Sequence, residues 1–451
     1  MAKLKVEEKI PASSYNIRLF LEADKILRCV HFNEFSGDTD IIYDAETHSL
    51  PWDKQSNVSK GFRHWETNDD DSLVEYVEAN FNTNVSPDKV MRALRILAYN
   101  QSYHPIKDYL AGLEGKWDKK PRISQLLQKY FGAKDTPYVR EAMLLTLKAA
   151  VARAFNPGTK FDTMLVLIGS QGCGKSTFCR FLAEKALGAG FFSDSLSMSD
   201  TRDKTAAEKI IGSWIIELAE ADGGITRTDV RYTKQFLSSC DDYFRASYAP
   251  RATHHPRQCV FIGTTNSDSF LHDDTGNRRF WPIQCPGVTA ADGTPLVFSM
   301  DTYEVNQIWA EAVEAYFADQ SLVMGVDARK EAEEAQTEAL ETDEREGKVE
   351  EYLNTLLPDG WDSWKTENRL FWLNNPQNRH VPGTVERKRV CRMEIWIECL
   401  GNDSYSIPQK DSRTITRILQ KLGWRSGGNN DKETFANYGR QECYRRCKPV
   451  K

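Results

Sequence analysis

A chain of 451 residues, 40% hydrophobic and 27% charged, has the composition of an ordinary globular protein but is too long for one core, so two or three domains are expected. The formal net charge of −6 argues against a surface coated with nucleic acid. No apolar run reaches the length of a membrane span, and residues 1–8 lack the apolar stretch of a signal peptide, so a cytoplasmic protein with no membrane partner is expected.

Residues 1–90 mix short apolar runs, at 26–30 and 41–43, with the turn signal Ser36-Gly37-Asp38, and read as a small α+β region without chemistry of its own. Residues 91–159 turn helical, through 90–98 and then 138–155, where Asn156-Pro157-Gly158 stops the second helix. This helical collar precedes a core placed at 160–320. The ten cysteines are scattered without a C-x-x-C pair, and Cys443 and Cys447 have no second pair or nearby His to complete a zinc site; free thiols are expected.

The core opens on Met164-Leu165-Val166-Leu167-Ile168, the unbroken apolar run of a strand buried on both faces. Gly169-Ser170-Gln171-Gly172-Cys173-Gly174-Lys175-Ser176 then matches the phosphate-binding pattern G-x-x-x-x-G-K-[ST] in full. From Thr177 the chain runs free of Gly and Pro, with Phe178, Phe181 and Leu182 on one helical face. Glycines let such a loop aim its N–H groups at phosphate oxygens, and the helix N-terminus adds partial positive charge. Lys175 would neutralise the β- and γ-phosphates and the Ser176 hydroxyl would ligate Mg²⁺, so a nucleoside triphosphate, written here as ATP, is the expected cofactor together with Mg²⁺. A chance glycine-rich turn is the competing reading, and both flanks speak against it.

Catalytic carboxylates are expected at the end of a neighbouring strand. The apolar run at 210–216 leads into Glu217 and Glu220. Glu217 stands where the Mg²⁺-linked carboxylate belongs, and either residue would polarise the attacking water; alternatively, Glu220 caps the next helix. Residues 243–257 interleave aromatic with basic groups, which suits phosphate tracking and base stacking; Arg245, Tyr248, Arg251, His254, His255 and Arg257 are the candidate DNA contacts. A solvated loop is the duller alternative. A third apolar strand, 259–265, ends at Asn266, whose amide would orient water against the γ-phosphate. Arg278 and Arg279, just ahead of another apolar strand, are candidates for an arginine finger given to a neighbouring subunit, which would require an oligomer; structural pairing with a carboxylate is the other possibility.

Residues 321–355 read as an acidic connector helix, since 327–351 carries eleven acidic against four basic side chains. Residues 356–451 read as a basic module, with fifteen Lys/Arg against eight Asp/Glu in 385–451. Within it a helix is expected over 411–422, its apolar face made by Ile415, Ile418, Leu419 and Leu422, followed by a basic hairpin over 431–446. That order is winged-helix-like, with a solvated charged helix as the competing view.

Taken together, Lys160-Phe161-Asp162, the loop at 169–176, the strand at 214–220, Gly263-Thr264-Thr265-Asn266 and Gly276-Asn277-Arg278-Arg279-Phe280-Trp281-Pro282 resemble the virulence-associated protein E family of phages, prophages and mobile elements. His104-Pro105-Ile106-Lys107-Asp108-Tyr109-Leu110 and Trp117-Asp118-Lys119-Lys120-Pro121-Arg122 extend the resemblance to roughly residues 100–320. The family is similar to superfamily 3 helicases and poxvirus-type primase-helicases. The resemblance implies an α/β P-loop NTPase core of AAA+-like type that assembles as a hexamer, in a replicative DNA helicase or replication initiator working in the bacterial host cytoplasm. It implies Asn266 as sensor and Arg278 or Arg279 as finger, and it matches residues 245–257 to the pore hairpin that grips DNA, single-stranded or origin duplex. Many relatives carry a primase domain upstream; here only about 160 residues precede the core and show no paired acidic motif for polymerase metals, so a separate primase is expected. Glu217 stands in place of an Asp, which the family tolerates.

Two functional classes follow: a DNA-stimulated ATPase that translocates and unwinds as a ring, or an ATP-dependent DNA-binding switch, regulatory or defensive, without translocation. A small-molecule P-loop kinase is disfavoured, because the arginines, the aromatic-basic loop and the basic tail would be superfluous there.

Overall fold

Capping residues set where the first helices begin. Ser13 accepts a hydrogen bond from the Asn16 N–H and opens α1 (Ser14–Ala23). Three short strands, β1 (Val30–Asn33), β2 (Asp38–Tyr43) and β3 (Gly61–His64), pair antiparallel in that order, with Gly37 at φ +74° making the first turn. Then come α2 (Thr67–Phe81) and α3 (Pro87–Asn100). Val90, Ala93, Leu94 and Leu97 of α3 share one core with Leu21, Val30, Ile41, Leu73 and Val77. The small α+β region therefore runs through α3, past the expected boundary at 90, because the apolar stripe of α3 has its partners there.

The computed structural model describes residues 11–43, 50–53, 61–202, 205–219, 227–245, 251–271, 276–340, 344–375, 381–403, 406–427 and 431–446, so Glu220 and Tyr248 lie outside the described residues. The chain splits into two compact units, Met1–Leu340 and Glu341–Lys451. Among the described residues the cysteines are free, and no helix is long and apolar enough to cross a membrane.

The first unit continues with α4 (Pro105–Leu113), α5 (Leu126–Phe131) and α6 (Pro137–Phe155), which ends at the C-cap Asn156. Its central elements are β4 (Met164–Ile168), α7 (Lys175–Glu184), β5 (Phe192–Ser197), α8 (Ala206–Lys209), β6 (Ile215–Ala219) and α9 (Arg227–Ser238). A hairpin of β7 (Asp241–Phe244) and β8 (Thr253–Pro256) follows, then β9 (Val260–Thr265), β10 (Phe280–Gln284), α10 (Thr302–Ala318) and α11 (Val326–Glu338). Five strands form one sheet in the order β10-β4-β9-β6-β5, every neighbouring pair parallel.

Every residue of β4 and β9 is buried, as expected of strands covered on both faces. Leu165, Leu167, Ile215 and Ile262 face the layer that holds Ala142, Phe178 and Trp309. Met164, Val166, Ile216, Leu218 and Phe261 face the opposite layer with Val230 and Leu237. Period-2 alternation thus divides one run of apolar residues between two cores. This is an α/β architecture around a parallel sheet.

The acidic stretch at 321–355 is not one solvated connector. In α11, Ala328 and Ala332 are buried, the Gln336 amide donates to the Phe280 carbonyl and Glu331 accepts from the Tyr138 N–H, so small side chains at helical spacing form a seam while Glu333, Glu334 and Glu338 are exposed. The second unit begins beyond Leu340 with α12 (Arg345–Asn354) and α13 (Thr366–Asn374). It continues with β11 (Arg389–Val390), α14 (Arg392–Glu394) and α15 (Gln409–Lys421). Helix α15 starts behind Pro408, ahead of the expected Asp411, buries Thr414, Ile415, Ile418 and Leu419, and is followed by Gly423 at φ +79°. After β12 (Trp424–Arg425), a hairpin of β13 (Lys432–Phe435) and β14 (Gly439–Glu442) leads to β15 (Tyr444–Arg446), which pairs with both β11 and β12.

Candidate functional site

The loop between β4 and α7 is held tightly to its surroundings. The Gly169 N–H donates to the Thr265 carbonyl at 3.1 Å, and a Cβ at Gly169 would stand 2.1 Å from the Cys285 carbonyl oxygen. Gly174 has φ +93°, and a Cβ there would meet Val297 Cγ1 at 2.4 Å. Both positions therefore require glycine. Helix α7 starts immediately afterwards at Lys175, so its first N–H groups border the loop. Gln171, Gly172 and Thr177 line, with Lys175 and Ser176, a cleft of about 400 Å³; Cys173 is buried behind it.

Lys175 is buried, and its ammonium donates to the carbonyls of Gly169 (2.6 Å) and Ser170 (2.9 Å) and to Asn266 Oδ1 (3.1 Å). Asn266 follows the last residue of β9, and this contact brings it to the loop across 91 residues of sequence. On β6, alternation puts Glu217 on the same face as Ile215, towards α7. Its Oε1 accepts from Ser176 Oγ at 2.7 Å and from Thr264 Oγ1 at 2.5 Å. Its Oε2 is buried and has no hydrogen-bond partner among the described residues. Burying a carboxylate oxygen without a donor is costly unless a cation meets it. A hydroxyl and a carboxylate at one end of a phosphate loop are the hard oxygen donors that Mg²⁺ takes, so Ser176 and Glu217 fit that ion. Burial, then the neighbouring charge of Glu217, pushes the Cys179 thiol well above its ordinary range, and burial pushes Cys285 up to about 12; both stay protonated thiols.

The two arginines separate. Arg279 Nε donates to Ser238 Oγ at 2.9 Å and lies 3.7 Å from Asp162, whereas Arg278 is exposed. Neither lines the cleft of its own chain.

On the β7–β8 hairpin, Tyr243 is 65% exposed and meets His254 in a tilted ring contact, and Phe244 stacks on His255. His254 also bonds Asp241. Arg245 and Arg251 are exposed at the hairpin's outer end. Arg257 departs from expectation. It is 2% exposed, its Nε and Nη2 donate to both oxygens of Asp242 (2.6 and 2.9 Å), its Nη1 donates to the Phe236 carbonyl, and its guanidinium lies over the Phe236 ring. It clamps the base of the hairpin to α9 and is not available to a nucleic acid. In the second unit, much of the basic charge is likewise met internally: Arg389 by Asp362 and Glu433, Arg392 by Glu442, Arg445 by Asp431, and Lys421 by Glu346.

Two residues at the cleft escaped the sequence reading. Thr264 stands in the motif Gly263-Thr264-Thr265-Asn266, but nothing in the sequence ties its hydroxyl to Glu217. Phe298, 56% exposed and lining the cleft, gave no signal, since it lies far along the chain from the loop.

The apo structure of the NrS-1 C-terminal region (305–718) is similar at 14% identity, covering 96% of this chain and 99% of that one, with a TM-score of 0.49. An A-form apo structure of the same region is similar at 13% identity, over 93% and 96% of the two chains, with a TM-score of 0.44. No curated protein matches the chain. The sequence profile of the virulence-associated protein E-like domain matches residues 110–341, a span that holds the loop, β6, the hairpin, Asn266 and both arginines. The chain belongs to the virulence-associated protein E-like family.

Proposed function

We propose that this protein is a P-loop ATPase of the superfamily 3 helicase type that hydrolyses ATP to move on and unwind DNA during replication of a phage or mobile element. The observation that carries the reading is the meeting of Lys175, Ser176, Glu217 and Asn266 at one loop, with Glu217 Oε2 unpaired among the described residues. When bound through Ser176 and Glu217, Mg²⁺ would neutralise phosphate charge. Loop N–H groups and Lys175 would hold the triphosphate, with the ammonium exchanging carbonyl acceptors for phosphate oxygens. Asn266, already in contact with Lys175, would orient the attacking water at the γ-phosphate end. Glu217 would hold its proton, directly or beside Glu220.

The exposed Arg278 is the better finger, because Arg279 is engaged within its own chain. A finger given in trans calls for a ring, and the family resemblance favours a hexamer in the bacterial cytoplasm, served by a separate primase. Arg245, Arg251, Tyr243 and His254 offer an exposed basic-aromatic surface for single-stranded or origin DNA. The helix and hairpin of the second unit would act as a winged-helix-like duplex contact.

Steady-state ATP hydrolysis with and without single-stranded DNA tests this. Wild type is expected to be stimulated by DNA, Lys175→Ala to be inactive, and Arg251→Ala to hydrolyse ATP without responding to DNA. Hydrolysis that ignores DNA in wild type would instead favour the ATP-dependent switch.

A further inference from the structure

The sheet order gives the cleft two unlike flanks. β4, which delivers the phosphate loop, lies between β9 and β10. Glu217 and Asn266 reach the loop from β6 and β9, on one flank, and there Asn266 meets the Lys175 ammonium. The chain that follows β10 returns on the other flank. Its single turn, Leu296–Ser299, lies directly on the loop: Val297 is fully buried and comes so close to Gly174 that no side chain fits between them. The same turn raises Phe298 into the cleft. Phe298 meets Phe181 edge-on at 6.4 Å, and Phe181 lies one helical turn beyond Thr177 on α7. A bulky ring is thus held more than half exposed beside a polar phosphate loop by a neighbour packed as tightly as any core residue.

We infer that Phe298 is the platform on which the nucleobase of the bound nucleotide stacks, an inference that rests on the nucleotide reading above. A triphosphate whose γ-end lies towards Asn266 and Glu217 must carry its ribose and base out of the loop on the opposite flank. A flat apolar face is what that end of the cleft presents. Stacking accepts any base, because every base has a π-face, so Phe298 supplies affinity for nucleotides as a class while leaving the choice among bases open. The Val297 anchor fixes the ring's position relative to Gly174, and the recognition surface moves with the phosphate loop.

Calorimetric binding of Mg²⁺-ATP and of Mg²⁺-tripolyphosphate, which has the phosphates but no base, tests this in the full chain. Phe298→Ala is expected to weaken ATP binding about tenfold, or about 1.4 kcal/mol. Tripolyphosphate binding should stay at the wild-type value, and Phe298→Trp should retain both. If Phe298→Ala binds ATP as tightly as wild type while Lys175→Ala does not, the platform is wrong and the nucleotide site stands. Equal loss of both probes in Phe298→Ala would mean that the ring only supports the loop, which also overturns the inference. If wild type binds neither probe, the nucleotide reading fails and the platform with it.

Discussion

Lys175 and Arg257 are both buried cations of the first unit, at 8% and 2% exposure, yet their partners are of opposite kinds. Arg257 is neutralised: a carboxylate takes two of its donors, a carbonyl takes a third, and an aromatic ring covers its face. Lys175 is held by two loop carbonyls, an amide oxygen and the Cys173 sulfur, and the nearby carboxylate of Glu217 is bonded to Ser176 and Thr264 instead. A buried charge with a matched counter-ion is spent on architecture, whereas one held by neutral acceptors keeps its field for an incoming anion. Two buried cations thus serve structure in one place and chemistry in the other.

That contrast can be broken most directly at Lys175. Lys175→Ala should lower ATP turnover by at least about 10³-fold, in line with loss of a transition-state charge contact, while the thermal midpoint stays near wild type. A large fall in the midpoint would make Lys175 structural after all. Glu217→Gln should cost roughly 10²-fold in turnover and shift the Mg²⁺ dependence to higher concentration, with nucleotide still bound; unchanged Mg²⁺ titration would remove it from the metal site. Arg257→Ala should do the reverse of Lys175→Ala. Leaving the partly buried Asp242 without its partner, and the Phe236 carbonyl without its donor, should cost about 3 kcal/mol of stability in denaturant unfolding. Arg251→Ala, a few residues away and exposed, should leave stability within about 0.5 kcal/mol and change only the response to DNA.

A third buried ion set, in the second unit, sharpens the comparison at the small end. Arg369 is shared by Glu394 and Glu398, and burial, together with the neighbouring Glu398, raises Glu394 to about 7. Because the folded-state value lies above the ordinary carboxylate value, stability from this group is complete in acid. It is lost as pH rises towards and through about 7. Urea midpoints at pH 5 and pH 8 should fall for wild type and stay flatter for Glu394→Gln; parallel behaviour of the two would mean that Glu394 ionises normally.

Features that are contiguous along the chain were legible in its amino-acid order. Strand β4, the glycines of the loop and the start of α7 are joined by covalent bonds, and their conformations follow from local sterics and the helix ladder. Glu217 was legible for the same reason, since period-2 alternation along β6 fixes which face a side chain takes. Orientation over long separations was decided only by tertiary packing. Arg257 counts as basic in any composition, and only its contact with Asp242 and Phe236 turns it inward. The acidic segment reads as solvated until Ala328 and Ala332 find their seam. Thr264 gains a role from a carboxylate 47 residues away, and Phe298 from a turn packed on Gly174. Local geometry is set by short-range sterics that a sequence records directly, while the partner of a side chain depends on which distant surfaces close against it.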